Sequence, residues 1–88
     1  MRKKSLFWFS IFLNPTNNIL SFNYTVLIPS QIKVSIINAE GKSVLTKQLK
    51  SKTGNNLESL DLKYLTSGAY TLFLSDGEKT SSASFIKQ

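Results

Sequence analysis

Residues 65–88, LTSGAYTLFLSDGEKTSSASFIKQ, decide the reading of this chain. Tyr70, Leu72 and Leu74 alternate with Thr71 and Phe73, the period of two that sends successive side chains to opposite faces of a strand. Asp76-Gly77 follows as a hairpin turn, and Lys79 to Ile86 runs back with Ala83 and Phe85 on one parity. Thr66-Ser67-Gly68 is a tight turn ahead of the hairpin. The stretch is therefore turn, strand, turn and final strand. Tyr70 and Phe85 face a core, and Phe73 lies on the opposite face of its strand.

Upstream the same period recurs. Leu20, Phe22, Tyr24, Val26 and Ile28 share one parity against Ser21, Asn23 and Thr25, until Pro29-Ser30 breaks the strand. Ile32, Val34 and Ile36 repeat the pattern, and Asn38-Ala39-Glu40-Gly41-Lys42 forms a hairpin turn with Gly41 at its left-handed position. The return strand, Val44 to Leu49, has two parities open: Val44 and Thr46 face in, or Leu45 and Leu49 do, and a bulge near the turn reconciles them. Lys50 to Asn56 is polar and reads as a loop, followed by a short strand from Leu57 to Leu62 with Leu60 and Leu62 inward. A single helical turn over Asp61 to Leu65 is the alternative there. About six to seven short strands without a long helix predict an all-β fold, an antiparallel sandwich or small barrel.

The opening run MRKKSLFWFSIFL is basic and then apolar, and has three readings: a truncated export signal, a first strand or tether whose apolar side is covered, or an unordered, sticky extension. It is too short to span a bilayer as a helix. Asn14-Pro15-Thr16-Asn17-Asn18 is a turn cluster that ends this segment, giving an N-terminal segment over 1–13 and one domain over 14–88.

Composition excludes more than it suggests. The chain has 88 residues, 41% of them apolar, with 11 basic and 5 acidic side chains for a net charge of +6. The lysines are scattered apart from Arg2-Lys3-Lys4 and a looser set at Lys47, Lys50 and Lys52, so no dense basic face marks a nucleic-acid site. Without Cys or His there is no thiolate chemistry, no disulfide, and none of the side chain that most easily moves protons near neutral pH. The serines at 81, 82 and 84 lack an activating base other than Lys79. Asp76 and Glu78 flank a turn glycine with too few oxygens for a calcium loop. Asn23-Tyr24-Thr25 matches a glycosylation triplet, but inside a predicted strand it carries little weight. The chain therefore has no catalytic residues and no cofactor on this reading. A binding module is what remains.

The series Asn14-Pro15, then a strand, then IKVSIINAEGKSV over 32–44, then Leu60-Asp61-Leu62 leading to LTSGAYTL over 65–72, then a last strand ending Phe85-Ile86-Lys87, resembles the type A C-terminal sorting domain of the type IX (Por) secretion system of Bacteroidota. The likeness runs from Asn14 to Gln88. It implies an Ig-like β-sandwich that directs an exported cargo through the outer membrane by way of the periplasm, to the cell surface or the medium. The partners it implies are outer-membrane translocon components and a sortase-like peptidase. The positions that match its motif are Asn14, Pro15, Gly41, Lys42, Gly68, Tyr70, Phe85 and Lys87. An Ig-like or fibronectin-like adhesion or carbohydrate-binding module is the alternative function. An exposed edge strand also makes a weak homodimer an expectation.

Overall fold

The computed structural model describes residues 7–12 and 18–88. Seven strands form among them: β1 (Phe7–Phe12), β2 (Ile19–Val26), β3 (Gln31–Asn38), β4 (Ser43–Lys50), β5 (Gly54–Asp61), β6 (Gly68–Ser75) and β7 (Thr80–Lys87). They make two antiparallel sheets, one ordered β1-β2-β5 and the other β4-β3-β6-β7. The two sheets share one core, which makes the molecule an Ig-like sandwich as the sequence predicts. Leu13, Asn14 and Pro15 lie outside the described residues, whereas the main chain of β1 pairs with β2 from Phe7 opposite Val26 to Phe12 opposite Ser21.

Period-two alternation translates directly into burial. Leu20, Phe22, Tyr24 and Val26 of β2 face Ile32, Val34 and Ile36 of β3 and Tyr70, Leu72 and Leu74 of β6, and all are buried. Leu49, Leu60, Leu62 and Phe85 close the sides. Ile28 departs from the expected pattern and is 56% exposed. β2 ends two residues earlier, because the chain turns over Leu27–Ser30 to cross between sheets, and the Ser30 hydroxyl donates to the Ile28 carbonyl.

β4 resolves the parity left open by the sequence. Ile36 pairs with Leu45 but Ile37 pairs with Ser43, so Val44 is an extra residue and the strand carries a bulge beside the turn. Val44 and Leu45 are both half-buried as a result, and only Leu49 enters the core fully.

β5 begins at Gly54, earlier than expected, and shortens the predicted loop to residues 51–53. Its inward row is Asn56, Glu58 and Leu60, opposite Tyr24, Phe22 and Leu20. Leu57 falls on the outward row and is 69% exposed. A polar Asn is buried here because its side chain replaces main-chain partners: Oδ1 accepts from Lys52 N–H at 3.0 Å, and Nδ2 donates to the carbonyls of Lys52 at 2.9 Å and Gly54 at 3.1 Å. Past β5, Leu65 N–H donates to the Leu62 carbonyl at 2.9 Å, a single turn rather than a helix.

Burial first, and then the negative charge of half-buried Glu58, push the Tyr24 hydroxyl from 10.0 up to about 12. The folded state thus holds this proton more tightly than the unfolded chain does. That stabilisation is complete below pH 10 and disappears as pH climbs toward about 12. Urea midpoints measured across this window are expected to fall more steeply for the parent than for Tyr24→Phe, which has no proton to lose.

Candidate functional site at one end of the four-stranded sheet

Of the motif positions, Asn14 and Pro15 lie outside the described residues, and sheet pairing gathers the others, which are spread over residues 41–87. Asn38 at the end of β3 lies opposite Tyr70, Tyr70 lies opposite Phe85, and Gly68 lies opposite Lys87. The β3–β4 turn, the start of β6 and the end of β7 therefore occupy one end of the sheet.

The turn is built from Asn38. Its Oδ1 accepts from the N–H groups of Glu40 and Lys42, each at 2.9 Å, and its own N–H donates to the Lys42 carbonyl at 2.9 Å. Gly41 N–H closes the loop onto the Asn38 carbonyl at 3.0 Å. Gly41 has φ of 86°, in the left-handed region, and a Cβ built there meets nothing within 4 Å. Substitution thus costs backbone strain alone. Gly41→Ala is expected to lose about 1 kcal/mol and Gly41→Asn less, since Asn tolerates this conformation best among residues with a Cβ. Chemical denaturation of the three proteins checks the order. Lys42 follows with its side chain in solvent.

Tyr70 anchors the opposite wall. Its ring stacks on Phe85 with centroids 5.8 Å apart and planes 23° from parallel. Its hydroxyl donates to the Thr66 carbonyl four residues back, at 2.6 Å. This is a tyrosine corner, in which a core ring at the start of a strand ties down the preceding connection through its polar tip. The spacing from Thr66 to Tyr70 is what lets the hydroxyl reach back over the Ser67-Gly68 turn. Lys87 is half-buried at the end of β7.

Between the two walls runs a shallow groove lined by Asn38, Glu40, Thr66, Ser67, Gly68 and Tyr70. Asn38 and Thr66, which the sequence places in turns, have roles at this end that the sequence pattern did not assign. Asn38 is legible in hindsight, because an Asn three residues ahead of a turn glycine is a side-chain acceptor for that turn. Thr66 had no signal, since its main-chain carbonyl does the work.

The groove holds main-chain edges, the hydroxyls of Thr66, Ser67 and Tyr70, the Asn38 amide and the Glu40 carboxylate. Among the described residues no group of three acidic, His or Cys side chains comes together to hold a metal ion. Asp76, across the sheet, spends Oδ1 accepting from the N–H groups of Glu78 at 2.9 Å and Lys79 at 2.8 Å. Lys63, beyond the end of β5, pairs with Asp61 at 3.8 Å, and both side chains are half exposed, so the ion pair contributes little.

No curated protein matches the chain in sequence. The family of secretion system C-terminal sorting domains matches residues 10–88. That span takes in β2 to β7 whole, together with the turn, corner and terminal strand just described. The chain accordingly belongs to the secretion system C-terminal sorting domains, and is a non-catalytic signal for export by the type IX system.

Proposed function

We propose that the export machinery reads this domain at the end of the four-stranded sheet formed by Gly41-Lys42, Gly68, Tyr70, Phe85 and Lys87. The supporting observation is their convergence: two strand pairings bring residues from distant parts of the chain to one surface. Gly41 and Gly68 shape its turns, Tyr70 and Phe85 hold it rigid, and Lys42 and Lys87 give it positive charge. Binding by outer-membrane translocon components follows passage through the periplasm. A sortase-like peptidase then separates the cargo, which reaches the cell surface or the medium. Residues 14–88 form the sorting unit, and Asn14-Pro15 mark its start.

Fusion to the C-terminus of a periplasm-targeted fluorescent reporter in a type IX-competent bacterium tests this reading. Residues 1–88 and 14–88 are expected to carry the reporter out of the cell, and removal of 80–88 to retain it. A folded fusion that stays in the periplasm refutes the assignment of this surface to export, and binding of the same protein to a glycan panel would point instead to an adhesion module.

A further inference from the structure

The four-stranded sheet has two edges, β4 and β7, and they are built in opposite ways. β4 is guarded. It carries the bulge at Val44, Lys47 and Lys50 within the strand, and Lys42 and Lys52 just outside it. Bulges and lysines are the devices that keep an edge from pairing with another chain.

β7 carries no bulge, and no lysine within it before its last residue, Lys87. It runs in unbroken register with β6 over all eight residues, from Thr80 opposite Ser75 to Lys87 opposite Gly68. No charged side chain and no proline occurs from Thr80 to Ile86. Ser81, Ser82, Ala83 and Ser84 are small enough for another backbone to approach, and Ile86 is 67% exposed. β1, in the other sheet, comes near β7 but does not pair with it. A straight, uncharged edge of this length is a hazard unless something uses it.

We propose that β7 is the edge on which a protein of the export machinery adds a β-strand, and that the added segment is uncharged along Thr80–Ile86 with a carboxylate where it passes Lys87. Main-chain bonds supply the affinity and the flanking side chains the selectivity. Charge distinguishes this occupant from a second copy. Two β7 strands paired antiparallel about Ala83, with Thr80 opposite Ile86, set Lys87 of each opposite Lys79 of the other, a repulsive contact made twice. An acidic strand turns the Lys87 contact into an attraction. This inference rests on the export reading above and names how the surface is engaged.

The full chain fused to the reporter carries the test. Ser82→Lys/Ser84→Lys places on exposed positions of β7 the guard that β4 already has, and Ser82→Thr/Ser84→Thr is its control. Neighbouring N–H groups of a strand point to opposite sides, so of Ser82→Pro and Ala83→Pro one removes a bond to β6 and the other an outward donor. The proline variant that keeps the parent's unfolding temperature is the outward one. Expected are a drop of about tenfold in secreted reporter for the double-lysine and outward-proline variants, a drop on Lys87→Glu, and parental secretion for the threonine control. Equal secretion of parent, double-lysine and outward-proline proteins overturns strand addition while leaving the export function intact. A parent that is itself retained takes both readings down. A parent that sediments as a dimer and becomes monomeric in the double-lysine variant assigns the edge to a second copy and overturns the proposal.

Discussion

Tyr70→Ala is expected to lower the unfolding free energy by about 3–5 kcal/mol, the range for removing a large aromatic from a packed core. The ring is buried between the sheets and stacked on Phe85, so its loss leaves Phe85 against a void at the open side of the sandwich. Tyr70→Phe isolates the hydroxyl. It keeps the stack but leaves the part-buried Thr66 carbonyl without its 2.6 Å donor, an expected loss of about 1–3 kcal/mol. Domains of this size have only several kcal/mol in hand, so the alanine variant should be substantially unfolded at 37 °C and the phenylalanine variant folded. Urea unfolding followed by circular dichroism gives both numbers. Export of the two variants then separates roles: secretion that tracks stability makes Tyr70 an anchor of the surface, whereas loss of secretion by folded Tyr70→Phe makes the hydroxyl part of what is read.

Asn56→Leu is the second large effect, at about 2–4 kcal/mol despite adding an apolar side chain to a core-facing position. Leucine matches the shape but can neither accept from Lys52 N–H nor donate to the carbonyls of Lys52 and Gly54. Three main-chain groups at the β4–β5 corner lose their partner at once, and water reaches them only in part. Asn55→Leu, one residue away on the exposed row, is expected to change stability by less than about 0.5 kcal/mol. The pair tests parity as well as hydrogen bonding, because a one-residue slip of β5 would exchange the two results. Hydrogen exchange at Lys52 N–H provides a local check, since this is the donor that Asn56 holds.

Where the chain alternates strictly, sequence and structure agree residue by residue. β2, β3 and β6 bury the rows that period two assigns them, because each has an uninterrupted apolar row against a mainly polar or mixed one. β5 misleads for a physical reason: Leu57 is its most hydrophobic early residue yet faces solvent, while Asn56 is polar yet buried. Hydropathy ranks side chains by transfer to an apolar phase and takes no account of a ready-made set of main-chain partners. β4 was ambiguous for a different reason. A bulge shifts parity midway, so neither assignment of its residues fits the whole strand.

The candidate surface was legible as a list of residues and not as a place. Gly41-Lys42 and Gly68-Tyr70 announce turns followed by strands, which is local information carried by backbone preference and spacing. That the first turn sits at the same end of the molecule as Lys87 follows from the β6–β7 hairpin, which residues 65–88 contain, together with β3 pairing with β6, which no local window contains.

The sequence by itself determined that the chain is all-β, which residues of its main strands face the core, where most of its turns fall and that it has neither Cys nor His. These depend on local periodicity and side-chain chemistry. Only the tertiary structure decided that β5 joins β2 across the sandwich, that Asn56 is a buried corner piece, and that β4 and β7 are the two unlike edges of one sheet. Strand neighbours are selected by the sum of many long-range contacts, and alternation states that a face is buried without stating what buries it.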